Sequence, residues 1–170
     1  MGMDIHMYIT KFNNEANVWR WIKLYKDNIY DLDSPDATIA QPIGRDYMLF
    51  EDLKEAGVGL ALQESDLKML DEELVKVYNW AFKPEKDEFT GFFGATAVNF
   101  ADLKLAAERH PVVRDYEAED QLINEGKKKK PIWVESPLAK LVKSIEKYID
   151  FADEFYCVNS EIKIIYWFDN

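Results

Sequence analysis

The sequence predicts an α+β fold, a small antiparallel sheet packed against about four helices. Three observations predict it. The chain opens on an alternating apolar and polar run that continues across a polar turn into a second β-rich run. Two longer stretches, 64–82 and 137–153, repeat apolar residues at helical spacing. Near the other end, Ile164 to Phe168 is continuously apolar and aromatic, as expected of a strand covered on both faces.

In chain order, residues 3–12 place Met3, Ile5, Met7 and Ile9 on one face and Asp4, His6, Tyr8, Thr10 and Phe12 on the other, the two-residue period of a strand. The turn-rich Asn-Asn-Glu-Ala-Asn of 13–17 leads into Val-Trp-Arg-Trp-Ile-Lys-Leu-Tyr at 18–25, so the two runs form a hairpin. Residues 26–43, with Pro35, Pro42 and several Asp, Asn and Ser, suit an irregular loop. Residues 44–57 read as a short helix, with Asp46 at the N-cap and Gly57 as the stop. A longer helix follows over 64–82, capped by Ser65, with Leu67, Leu70, Leu74, Val77 and Ala81 on one face. Residues 83–95, with two glycines, read as a loop, and Asn99 caps a third helix that ends before Pro111. The charged stretch 112–131, closing in Lys127–Lys130, reads as a solvated connection. Ser136 followed by Pro137 marks the start of the last helix, because proline at the first helical position loses no hydrogen bond. Its apolar stripe runs through Leu138, Leu141, Val142, Ile145, Tyr148, Ile149 and Ala152.

With 170 residues, 48% hydrophobic and 14% aromatic, the chain suffices for one domain spanning 1–170. No apolar window reaches the about 18 residues a membrane helix needs, and no basic segment precedes an apolar one at the N-terminus. Cys157, the one cysteine, has no internal disulfide partner. These features point to the cytoplasm and away from a membrane. The net charge of −11, from 32 acidic and 21 basic residues, repels phosphate backbones. Direct nucleic-acid binding is therefore not expected, and a protein partner with a basic surface is.

Asp4 and His6 share a strand face, and a neighbouring terminal strand would bring Asp169 beside them. A carboxylate–imidazole–carboxylate cluster can hold a divalent metal, or orient His6 as a general base. Arg45, ahead of a helix start, would add an anion contact, and together the four would outline a phosphoester hydrolase. With two histidines and one cysteine, the remaining ligands are oxygens, so the metal would be magnesium or manganese. The chain has no phosphate-binding glycine loop, no nucleophile elbow and no His-Glu-x-x-His. The competing reading, which the sequence favours, makes Asp4, His6, Arg45 and Asp169 a buried polar knot that fixes strand register. Trp19, Trp21 and Tyr25, on a hairpin arm with large side chains on both faces, are the candidate interaction surface.

Three blocks carry a resemblance: Met1-Gly2-Met3-Asp4-Ile5-His6, Gly44-Arg45-Asp46-Tyr47-Met48-Leu49-Phe50 and Tyr166-Trp167-Phe168-Asp169-Asn170. The chain resembles a group of uncharacterised, mostly phage-encoded small proteins that open Met-Gly-Cys-Asp-Ile-His and end Phe-Trp-Phe-Asp-Asn, as a diverged member. It departs from them in having Met3 in place of cysteine, and Phe93-Gly94-Ala95-Thr96-Ala97-Val98 where the group carries a His-Ser-rich stretch. The resemblance implies a phage context and pairing of the first and last strands; it implies no activity. The expectation is a phage-encoded acidic accessory protein that binds and inhibits a host protein, such as a CRISPR or restriction enzyme, and needs no cofactor. The alternative is a metal-dependent phosphoester hydrolase or nucleotide-binding protein built on the Asp-x-His/Asp cluster.

Overall fold

The computed structural model describes residues 4–22, 47–83, 90–151 and 161–169. Asp4–Asn13 (β1) and Val18–Trp21 (β2) form the expected hairpin, pairing Thr10 with Trp21 and Asn13 with Val18. Its turn is held by Ala16 N–H donating to Asn13 Oδ1 at 2.9 Å. Asn17 turns the chain at φ 54°, a left-handed conformation that asparagine tolerates better than most residues.

Ile162–Asp169 (β7) pairs antiparallel with the other side of β1, from Asp4 opposite Asp169 to Lys11 opposite Ile162. Phe92–Asn99 (β4) pairs with the far side of β7, and Leu60–Ala61 (β3) with β4, giving the antiparallel order β2-β1-β7-β4-β3. The central position of β7 explains its unbroken apolar run. Ile162, Ile164, Tyr166 and Phe168 join Ile5, Met7 and Ile9 in a core against Tyr47–Ala56 (α1), Phe100–Arg109 (α4) and Pro137–Phe151 (α6). On the opposite face, Ile165 and Trp167 join Tyr8 against Leu74, Val77 and Ala81 of Glu72–Phe82 (α3). Helices thus cover both faces of the sheet, and the face carrying His6 is closed over rather than solvated.

The last helix starts as expected, with Ser136 Oγ accepting from Ala139 N–H at 3.0 Å. Gly57, at φ 58°, ends α1. Asn99 occupies the N-cap of α4 but its side chain makes no capping bond. Asp46, the loop at 26–43 and residues 23–25 of the second hairpin arm lie outside the described residues.

Three sequence expectations need correction. The helix expected over 64–82 is two, Glu64–Leu67 (α2) and α3. The break occurs because residues 69–71 bond to the hairpin: Trp19 N–H donates to Met69 O at 2.7 Å, and Asp71 N–H donates to Trp19 O at 2.9 Å. Gln63, not Ser65, caps α2 in a reciprocal capping box with Asp66, and the Asp71 side chain caps α3. Leu67, Leu70 and Leu74 still face the core, which is why the helical period survives in the sequence.

Second, the loop expected at 83–95 gives way to β4 from Phe92 onward. Small residues and a bulge between Phe93 and Thr96, with Gly94 at φ 71°, conceal the strand period. Third, the charged stretch 112–131 is mostly structured. Val112–Arg114 (β5) pairs with Trp133–Glu135 (β6) as a separate two-stranded sheet, and Tyr116–Asn124 (α5) lies between them. Asp115 starts α5 by accepting from Ala118 N–H at 2.9 Å. Lys127–Lys130 are exposed, as expected.

Candidate functional site

The β1–β7 pairing brings His6 and Asp169 together. Asp169 stands opposite Asp4 in the register, so Asp4, His6 and Asp169 share one sheet face. His6 Nε2 lies 3.6 Å from Asp169 Oδ2, within reach of charge attraction but too far for a hydrogen bond. The His6 side chain is 8% exposed, with Phe92 edge-on at 5.3 Å. Asp169 is the more open partner, its side chain 33% exposed. His6 Nε2, Trp167 Nε1 and Asn79 Oδ1 are buried without a hydrogen-bond partner among the described residues. The arrangement is a polar pair set into an aromatic layer, with the carboxylate toward solvent and the imidazole beneath it. Among the described residues, no three His, Cys, Asp or Glu side chains are placed to hold one metal ion. Arg45 and Tyr25 lie outside the described residues.

Trp19 and Trp21 are half-buried. Trp21 meets Tyr8 edge-on at 5.1 Å, while Trp19 packs on Phe12 at 5.1 Å and takes the Lys163 ammonium over its ring at 4.3 Å. Both rings pack on the second core, and residues 69–71 bond along the outer side of β2.

Beside Trp19 opens a groove of about 570 Å³, lined among others by Leu60, Asp66, Met69, Asp102 and Lys163. Its shape depends on Gly59, at φ 85°, whose Cα lies so close to β4 that a Cβ would sit 2.8 Å from Ala97 O. A smaller depression of about 270 Å³ shares Gly59 and Asp102 and reaches Leu105 and Arg109. Leu60, 80% exposed, lines this groove together with two exposed carboxylates, Asp66 and Asp102. Sequence reasoning did not find this groove, because its residues come from separate elements. The available signal was Val58-Gly59-Leu60-Ala61-Leu62, a short apolar run directly after a helix stop.

No protein-family model, curated protein or solved structure matches the chain at a significant level.

Proposed function

We propose that the chain is an acidic accessory protein of phage type that binds and inhibits a host protein through a basic surface of that protein, a defence component such as a CRISPR or restriction enzyme being the target class. The supporting observation is the groove beside β3, where the exposed carboxylates of Asp66 and Asp102 flank apolar walls that include Leu60 and Met69. A lysine or arginine from the partner would lay its aliphatic stem along those walls and its cation against the carboxylates. The Lys163 ammonium is held over Trp19 at one wall. Exposed Glu64, Glu72 and Glu73 extend the acidic surface over α2 and α3, and the net charge of −11 would steer a basic partner inward.

The test is capture from host lysate at low salt, followed by titration with the purified partner. Affinity should fall steeply between about 50 and 300 mM salt, as screening shortens from roughly 14 to 6 Å. It should also fall at least about tenfold in Asp102→Lys and in Leu60→Glu. Recovery of no basic protein, or unchanged affinity in both variants, defeats the proposal.

A second reading, a metal-dependent phosphoester hydrolase or nucleotide-binding protein using magnesium or manganese, draws on the adjacency of His6 and Asp169 at 3.6 Å. Turnover of a generic phosphodiester that requires the added metal and is lost in Asp169→Asn would favour it over the binding proposal.

A further inference from the structure

The β5–α5–β6 unit carries a surface unlike the rest of this acidic molecule. Pairing of Arg114 with Trp133 and of Val112 with Glu135 puts these four side chains on one face of the small sheet. Trp133 is 61% exposed and Val112 49%, and in the adjoining α5 Tyr116 is 62% exposed. Ile123 of α5 is also exposed. Of the ten large exposed apolar side chains among the described residues, four belong to this unit, so the exposure is clustered rather than scattered.

The centre of the face is held by an ion pair and a cation–π contact. The Arg114 guanidinium lies over the Tyr116 ring at 5.0 Å and donates both to Glu119 Oε2, at 3.0 Å from Nε, and to Oε1. Glu119 has no exposed side-chain surface, so Arg114 is neutralised by a buried carboxylate while its flat group lies over Tyr116, with Trp133 opposite Arg114 in the strand register. Trp, Tyr and Arg are the residue types that most often anchor protein interfaces.

One edge of the face is cationic. Lys127–Lys130 connect α5 to β6, all exposed. Lys127 pairs with Glu125 at 2.7 Å, whereas Lys128, Lys129 and Lys130 have no ion pair among the described residues. Lys130 is three residues from Trp133, at most about 10 Å along extended chain.

We propose that this face docks an acidic segment of a partner protein, with one large apolar side chain seated on Trp133 and Tyr116 and its carboxylates against Lys128–Lys130. The charge pattern selects this occupant. Glu117, Asp120 and Glu125 stand exposed on the same unit, so a nucleic acid with a charge at every phosphate would meet repulsion on leaving the lysine edge. A second copy of the chain would bring a further −11 against −11. A short acidic segment can confine its charge to the lysines. The surface is separate from the groove beside β3, and the proposal does not depend on it.

The test uses the full chain and two fluorescein-labelled probes, a synthetic peptide rich in glutamate with leucine and phenylalanine, and an oligothymidylate. Anisotropy at low salt should show the peptide binding and the oligonucleotide not binding. The triple variant Lys128→Glu, Lys129→Glu, Lys130→Glu and, separately, Trp133→Ala should each weaken the peptide at least tenfold. Melting curves confirm that both variants fold; if Trp133→Ala does not, Trp133→Ser and Tyr116→Ser replace it. The inference is overturned if the oligonucleotide binds more tightly than the peptide, or if neither binds. It is equally overturned if the variants leave peptide affinity unchanged, or if sedimentation reveals a dimer that Trp133→Ala dissolves.

Discussion

His6 and Trp167 face one another across the β1–β7 ladder, and each buries a ring nitrogen that no hydrogen-bond partner among the described residues reaches. A buried polar atom left unpaired costs stability, so an apolar ring of similar size should be tolerated at either position. His6→Phe is expected to melt at or above the wild-type temperature. His6→Ala, which opens a cavity between Phe92 and the sheet, should lose about 2–4 kcal/mol in urea titrations. Equal losses in both variants would mean that the imidazole itself is needed.

The Glu119 carboxyl is held below the usual glutamate range, first by its hydrogen bonds from Arg114, with the Ile132 N–H and the Lys129 charge adding to the effect against the penalty of burial. Its proton is therefore lost more readily in the folded chain than in the unfolded one. The stability this supplies is present above the ordinary glutamate pKa and lost as pH falls through the folded value. The gap in melting temperature between wild type and Glu119→Gln should be wide at about pH 7 and narrow toward about pH 3. A gap that does not change with pH would assign the loss to packing.

Tyr166 behaves in the opposite sense. Burial raises its phenol pKa, against a smaller lowering by a hydrogen bond with Thr96. Its share of stability is complete below the ordinary tyrosine pKa and disappears as pH rises through the raised folded value. Tyr166→Phe should flatten the alkaline limb of the stability curve above about pH 10, the ordinary tyrosine pKa. If the two limbs superimpose, other groups govern alkaline unfolding.

Gly59 and Gly126 both have positive φ, 85° and 70°, but only Gly59 is hemmed in. An alanine Cβ at 59 would stand 2.8 Å from Ala97 O and 2.9 Å from the Thr96 methyl, whereas one at 126 meets nothing within 4 Å. Gly126→Ala should cost about 1 kcal/mol, the left-handed penalty alone. Gly59→Ala should cost clearly more and should also distort the groove beside β3. Equal costs from denaturant melts would remove the close approach as the cause.

What the sequence disclosed follows from where the period was clean. β1 places Ile5, Met7 and Ile9 at alternate positions, β7 is apolar from Ile164 to Phe168, and α6 has both a proline start and a wide stripe, so these elements were legible. The His6 and Asp169 adjacency followed from the strand pairing alone. β4 was hidden because Gly94, Ala95 and Ala97 carry little hydrophobic signal and the bulge shifts their phase. The break between α2 and α3 was hidden because it is imposed by Trp19, about fifty residues away, through bonds to Met69 and Asp71. The groove was illegible for the same reason, since Leu60, Asp66, Asp102 and Lys163 meet only once the sheet exists.

The pairing of β1 with β7 also sets a timetable. Lys11 pairs with Ile162, and Thr10 Oγ donates to Lys163 O, across about 150 residues of chain. At about 5–20 residues per second of synthesis, β1 waits roughly 8–30 s for the strand that completes it. During that interval Ile5, Met7, Tyr8 and Ile9 stand along an unpaired strand edge, a template for association with other nascent chains. The growing polypeptide, rather than the finished protein, is therefore the form most in need of a chaperone.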